Sequence, residues 1–227
     1  MHKNTVVLSV GGSLIAPDGV NVDFLEELRD FILERTRNGE QFVIVCGGGG
    51  AARAYQKAAR ALKISDQSEL DWIGIHATRL NAQLVKAFFG NNAHPNVITD
   101  PTQKINFKES VLIGAGWKPG WSTDYVAILL ADQLHAKRVI NLTNVDYVYD
   151  KNPNEHTDAH PLKGLSWKQF QELFGTEWQP GLHAPFDPIA GAKAQELNME
   201  VAIINGAHLD RIATYLDTKT CIGTLIQ

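Results

Sequence analysis

Apolar residues along the chain follow two rhythms. The runs "TVVLSV" (5–10) and "QFVIVC" (41–46) are almost continuously apolar and β-branched, and glycines follow each at once. Strands buried on both faces of a parallel sheet have this pattern. Between them, "VDFLEELRDFILERTRNG" places Phe24, Leu25, Leu28, Phe31 and Ile32 on one helical face, with Gly39 as its stop. The unit is strand, loop, helix, strand.

The alternation continues. A small-residue helix is expected over 51–62, a longer one through "DWIGIHATRLNAQLVKAFFG", strands at 96–99 and 109–113, and a helix at about 123–135 leading to the strand "RVINLT". The C-terminal third repeats the theme, with helices at "SWKQFQELF", "DPIAGAKAQEL" and "HLDRIATYL" and strands at "EVAIIN" and "CIGTLI". Strands alternating with helices predict an α/β fold, with a mainly parallel sheet covered on both faces. The one long polar loop is "DKNPNEHTDAHPLKG" (150–164).

A length of 227 residues suits one domain spanning 1–227, divided into two lobes around a cleft. With 44% hydrophobic and 20% charged residues the composition is that of a globular protein, and a net charge of -4 argues against a nucleic-acid polymer or an anionic membrane as partner. Cys46 and Cys221 are far apart and lack CxxC spacing, so neither a disulfide framework nor a zinc site is expected, and a reduced, cytoplasmic setting follows. No stretch has the length of a membrane span, and the N-terminus lacks the apolar core of a signal peptide. His156 and His160, four apart in the polar loop, read as solvated rather than metal-binding.

Ligands of open α/β sheets bind beyond the carboxyl ends of the strands. Gly11, Gly12 and Ser13 follow the first strand, and Gly47 to Gly50 follow the second and lead into the helix that carries Arg53. Glycines allow backbone amides close to a phosphate, and a helix N-terminus adds partial positive charge. Neither loop fits GxxxxGK[ST] or GxGxxG, so each alone is also an ordinary tight turn. Two such loops on adjacent strand ends favour an anion site. A third loop, "GWKPGWSTD" (116–124), holds Lys118 between Trp117 and Trp121 and offers Ser122, Thr123 or Asp124 as a helix cap. The tryptophans either cover the core edge or form a lip that shields a phosphate from water. A fourth loop, "TNVDYVYDKNP" (143–153), offers Thr143, Asn144, Asp146, Tyr147 and Tyr149, or simply makes turns.

Taken in order, "VGGSL", "VCGGGGAARAY", "DWIGIHATRLNAQL", "GWKPGWSTDYVAILLA", "LTNVDYVYDKNP", "FDPIAGAKAQE" and "GTLI" resemble the amino acid kinase superfamily, and within it the short, archaeal-like uridylate (UMP) kinases. The resemblance spans nearly the whole chain. It implies a three-layer α/β/α sandwich of the carbamate kinase-like type, an N-terminal part that binds UMP and a C-terminal part that binds ATP. By the same resemblance Ser9, Gly11, Gly12, Ser13, Gly49 and Arg53 would line the transferred phosphoryl group. Thr143, Asn144, Tyr149 and Asn152 would contact ATP. Gly48 would touch UMP, Asp71 would accept hydrogen bonds from the ribose hydroxyls, and Trp117, Lys118, Pro119, Gly120, Trp121, Ser122 and Thr123 would wrap the UMP phosphate and base. The candidate catalytic set is Gly12, Arg53, Lys118 and Asp146, with Mg²⁺ bound through the ATP phosphates and no dedicated metal ligands. Asp187 and Pro188 would open a supporting helix. Relatives assemble as hexamers built from dimers.

The chain departs from that pattern at three places. Many relatives carry a lysine in the first strand or its glycine loop where this chain reads "LSVGGS"; Arg53 and Lys118 are the candidates to replace it, and Lys3 stands too early on the strand. Tyr147 occupies a glycine position and Asn152 an aspartate position. The readings that remain open are a kinase of UMP, an acetylglutamate, carbamate or fosfomycin-type kinase of the same superfamily, and a non-catalytic nucleotide or oxyanion binder.

Overall fold

A computed structural model describes residues 4–153, 155–177 and 184–227; Lys3 and residue 154 of the polar loop lie outside them. Its central sheet has seven strands in the order β3-β2-β1-β4-β8-β9-β7. The strands are β1 (Thr5–Val10), β2 (Gln41–Cys46), β3 (Val111–Gly114), β4 (Arg138–Thr143), β7 (Gly164–Leu165), β8 (Glu200–Asn205) and β9 (Thr224–Ile226). Every pairing is parallel except that of β8 with β9. A separate two-stranded antiparallel sheet, β5 (Val148–Tyr149) with β6 (Pro161–Leu162), closes the base of the polar loop.

The two-face burial anticipated for the apolar runs is present. Val6, Leu8, Val10, Phe42, Ile44 and Cys46 pack on one face against α1 (Gly12–Ile15), α2 (Val22–Arg37), α4 (Gln67–Phe89) and α8 (Leu209–Thr218). Val7, Val43, Val45 and Leu112 pack on the other face against α5 (Thr123–Gln133), α6 (Trp167–Phe174) and α7 (Pro188–Glu196). The remaining helix, α3 (Gly49–Ala61), leans on α4. Alternate strand residues thus feed opposite layers, and the result is the three-layer sandwich with a mainly parallel sheet.

Three expectations are corrected. Residues 96–99 form no strand; the segment touches β3 only through the isolated bridges Ala93–Val111 and Ile98–Gly114, and Pro95 between them has no N–H to contribute to a ladder. The polar loop follows β5, contains β6 and ends in β7, strands whose two-residue lengths leave no periodicity to read. Helix α4 begins at Gln67 under the cap of Asp66, so Asp71 lies a turn inside the helix rather than at its head.

Candidate active site

β1 runs between β2 and β4, and the chain fills one side of it with β2 and β3 before crossing to β4. That reversal opens a crevice at the carboxyl edge of the sheet. The loops after β1, β2, β3 and β4 all end there, tied by main-chain bonds: Gly11 N–H to Leu142 O at 2.8 Å, Gly47 N–H to Val10 O at 2.9 Å and Gly206 N–H to Thr143 O at 2.8 Å.

The two glycine loops are pressed backbone against backbone. A methyl on Gly12 would come within 2.0 Å of the Gly49 nitrogen, and one on Gly47 within 2.4 Å of the Gly12 nitrogen. Gly49 also has φ +63, a conformation other residues adopt only at a cost. Glycine is therefore required here for the loops to meet. The N–H groups of Gly11, Gly47 and Gly50 are spent on Leu142 O, Val10 O and Ala16 O, and the loops lie beside the N-terminus of α3, which no side chain caps. Arg53, in the first turns of α3, spans both loops; Nη1 donates to Ser13 Oγ and Nη2 to Pro17 O, each at 3.1 Å.

Helix α4 orients the loops from behind. Asn81 is buried and its Nδ2 donates to Gly47 O (2.8 Å) and Gly48 O (3.3 Å), which draws those carbonyls away from the crevice. The Thr78 hydroxyl accepts from Gly116 N–H at 2.8 Å. Arg79 Nε donates to Gly116 O at 3.2 Å and Nη2 to Trp117 O at 2.9 Å, with its guanidinium 5.7 Å from the Trp72 ring. Asp71 Oδ2 accepts from Gly120 N–H at 2.9 Å, and Oδ1 accepts from Gln67 Nε2 at 2.7 Å.

The third loop is consequently a firm structure. Residues Lys118 to Trp121 close a turn through Trp121 N–H to Lys118 O at 3.3 Å, with Pro119 in its second position and Gly120 at φ +84 in its third. Proline then glycine is what a type II turn requires. Trp117, Trp121 and Tyr125 stack in succession, with centroids 5.9 and 4.2 Å apart. Lys118 Nζ sits 3.9 Å from the Trp117 centroid, and its charge helps hold the Asp100 carboxyl below its ordinary range, an effect due mainly to the hydroxyl and amide of Thr102. Ser122 caps α5 by accepting from Tyr125 N–H at 3.1 Å, and its hydroxyl donates to Asp187.

Asp124, one of the three cap candidates in the sequence, leaves the capping of α5 to Ser122, and its carboxyl is buried instead. Its Oδ1 accepts from Ser9 Oγ at 2.7 Å and its Oδ2 from Asp187 N–H at 3.2 Å. Burial pushes its carboxyl up to about 6, the neighbouring charge of Asp187 adds to the rise, and the Ser9 hydrogen bond opposes it. Asp187 caps α7 through Ile189 N–H at 3.1 Å, with Pro188 in the first helical turn. Ser9, Asp124, Asp187 and Ser122 thereby link β1, α5 and α7 beneath the crevice.

On the β4 side, Thr143 ends the strand and Asn144 is exposed. Asp146 points to α8: its Oδ1 accepts from Arg211 Nη1 at 2.6 Å and from Asn205 Nδ2 at 3.3 Å, and the Arg211 bond holds its carboxyl below the ordinary range. Tyr149 lies in β5; the two-stranded sheet is fixed to the central one by the buried Thr224, whose hydroxyl accepts from Val148 N–H at 2.9 Å. The Asn152 carbonyl accepts from His156 N–H at 2.9 Å. Among the described residues no three His, Cys, Asp or Glu side chains converge as a metal site would require.

Gly11, Gly12, Ser13, Gly48, Gly49 and Arg53 therefore gather in one cradle, whereas Ser9, expected to line it, is buried beneath with its hydroxyl on Asp124. Asp71 and residues 117–123 gather beside α4. Thr78, Arg79, Asn81 and Asp124 are additions; Thr78 and Asn81 are polar side chains buried under other loops, which a sequence does not mark.

Residues 4–205 match the model of the amino acid kinase family. The chain belongs to that family. Among family members, the uridylate kinase of Methanococcus aeolicus is 33% identical over 227 residues, covering 98% of this chain and 99% of its own. That of Sulfolobus acidocaldarius is 32% identical over 228 residues, covering 97% and 98%. The crystal structure of the uridylate kinase from Archaeoglobus fulgidus superposes with a TM-score of 0.79 at 29% identity, over 98% of this chain and 99% of that one. A UMP kinase from Bacillus anthracis, 20% identical with a TM-score of 0.80, shares the fold.

Proposed function

We propose that the protein is a UMP kinase, transferring the γ-phosphate of ATP to UMP to give UDP and ADP. The observation that carries this reading is the meeting, at one sheet edge, of a main-chain glycine cradle with a preformed turn whose Gly120 amide is held by Asp71. Full-length similarity to uridylate kinases supports it.

In this reading the single domain has an acceptor half and a donor half. Asp71, Gly48 and the stretch Trp117 to Thr123 take UMP, with Asp71 Oδ1 facing a ribose hydroxyl. Gly11, Gly12, Ser13, Gly49, Thr143, Asn144, Tyr149 and Asn152 take ATP, and Ser9 supports that side from below through Asp124. A UMP phosphate oxygen attacks the γ-phosphorus as the bond to the bridging oxygen breaks, so the protein's task is alignment and charge neutralisation. Cradle amides stabilise the moving phosphoryl group. Arg53, already bonded to Ser13 in the first glycine loop, is the cation best supported for the role of the absent lysine; Lys118 rests on Trp117 and contributes from the acceptor side.

Asp146 is neutralised by Arg211 and Asp124 is engaged by Ser9 and Asp187, so the donor set suits Mg²⁺ arriving on the ATP phosphates rather than in a carboxylate cage. Bound there, the ion would neutralise phosphate charge. Asp146 then serves to fix the ATP loop to α8. We further propose a cytoplasmic hexamer built from dimers, in keeping with the reduced cysteines, and no helix of the described residues is long and apolar enough to cross a membrane.

The test is a coupled assay of the purified protein with ATP and Mg²⁺, offering UMP, CMP, carbamate and acetylglutamate. Turnover with UMP in clear preference is expected. Turnover only with carbamate or acetylglutamate, or ATP binding without turnover of any acceptor, would sink the proposal.

A further inference from the structure

The acceptor loop leaves β3 over α4, and at that point Thr78 and Arg79 hold its backbone. Gly116 lies so close that a methyl there would come within 2.8 Å of Thr78 Oγ1. Its N–H goes to that hydroxyl, its carbonyl and the next one go to the two ends of the Arg79 guanidinium, and Trp72 lies 5.7 Å from the guanidinium.

We propose that Arg79 is a positioning residue for the acceptor: it clamps the Gly116 and Trp117 carbonyls onto α4 so that neither turns toward the anionic substrate. The inference deepens the UMP kinase reading and rests on it. Carbonyl oxygens facing a phosphate repel it, and two successive carbonyls freed from a fixed donor can turn toward solvent and the crevice. Arginine suits this task because its planar fork presents two N–H groups at fixed spacing to two acceptors, whereas lysine offers a single point charge. The clamp and the Asp71 bond to Gly120 grip the loop at its two ends from the same helix, so α4 sets the loop's height above the glycine cradle. The Arg79 hydrogen bonds go to the acceptor loop and not to the glycine cradle, so its effect is confined to the acceptor.

The experiment is steady-state kinetics of wild type, Arg79→Met, Arg79→Lys and Thr78→Val, varying UMP and ATP separately, with a melting curve for each. Hydrogen bonds from a charged donor support an increase of about tenfold or more in the KM for UMP of Arg79→Met, with the KM for ATP within about twofold. Arg79→Lys restores part of that loss, and Thr78→Val shifts the KM for UMP in the same direction. An unchanged KM for UMP in Arg79→Met, or equal rises in both KM values, would overturn the clamp. Should Arg79→Met fail to fold, the same two outcomes are read from Arg79→Lys and Thr78→Val. Wild type without UMP turnover would instead refute the kinase reading.

Discussion

Substituting Asp124 by asparagine separates the charge of this buried group from its hydrogen bonds. The amide is the same size, and it can accept from Asp187 N–H while donating to the Ser9 hydroxyl. What changes is that nothing ionises. In the folded protein the Asp124 carboxyl lies at about 6 against an ordinary 3.8, because burial disfavours the anion and Asp187 repels it. A folded-state value above the unfolded one means the native protein binds the proton more tightly. The associated stability is thus complete below about pH 4 and is lost as pH rises through about 6. The gap between 3.8 and about 6 corresponds to about 3 kcal/mol at neutral pH. For a chain of 227 residues that is a melting-temperature difference of about 6–12 °C. Melting curves of wild type and Asp124→Asn, recorded by circular dichroism from pH 4.5 to 8, should show the variant pulling ahead as pH rises and the gap levelling above about pH 7. A difference that does not vary with pH, or a variant less stable than wild type at pH 7.5, would refute an ionised, poorly solvated Asp124.

Three further outcomes are expected. Asp71→Ala should raise the UMP requirement far more than the ATP requirement, whereas Asp71→Asn, which can still accept from Gly120 N–H, should lose less; equal effects on both substrates in steady-state kinetics would contradict a ribose role. Arg53→Ala should lower kcat by about a hundredfold, in the range seen for loss of one preorganised donor, and by more than Lys118→Ala does; the reverse ranking would transfer the missing charge to Lys118. Gly12→Ala, whose new methyl would lie 2.0 Å from the Gly49 nitrogen, should force the glycine loops apart and abolish turnover, with a lowered melting temperature as the second readout.

Much of the fold was legible because four strands are nearly pure apolar runs: β1, β2, β4 and β8 lie at the bounds their sequences imply. Burial on both faces of a parallel sheet leaves no polar alternation to confuse the reading. Helix α4 was found but started late, since its first turn, capped by Asp66, is mostly polar and exposed. Residues 96–99 resembled a strand because Val97 and Ile98 are β-branched, yet the segment makes only isolated bridges. In the site, the glycine loops could be located without knowing that they were glycine for each other's sake, since steric contact between distant loops has no local signature. Arg79, Thr78 and Asn81 read as interior positions of a helix, and only the path of two other loops across α4 gives them work. Asp124 read as a cap beside Ser122, and its burial depends on β1 and α7 closing over it.

The cradle formed by Gly11, Gly12 and Gly47 to Gly50 is made of peptide groups, and this bears on how such a chain can change over generations. A donor carried by a side chain disappears with one codon. A donor carried by the main chain persists through any replacement that the backbone path tolerates. The first loop can therefore go without a basic residue while the array of amides around it stands, and the charge can be supplied from another position. The corresponding fragility is steric: a single added carbon at Gly12 or Gly47 would meet main-chain nitrogen at 2.0 or 2.4 Å, and backbone cannot swing aside as a side chain can.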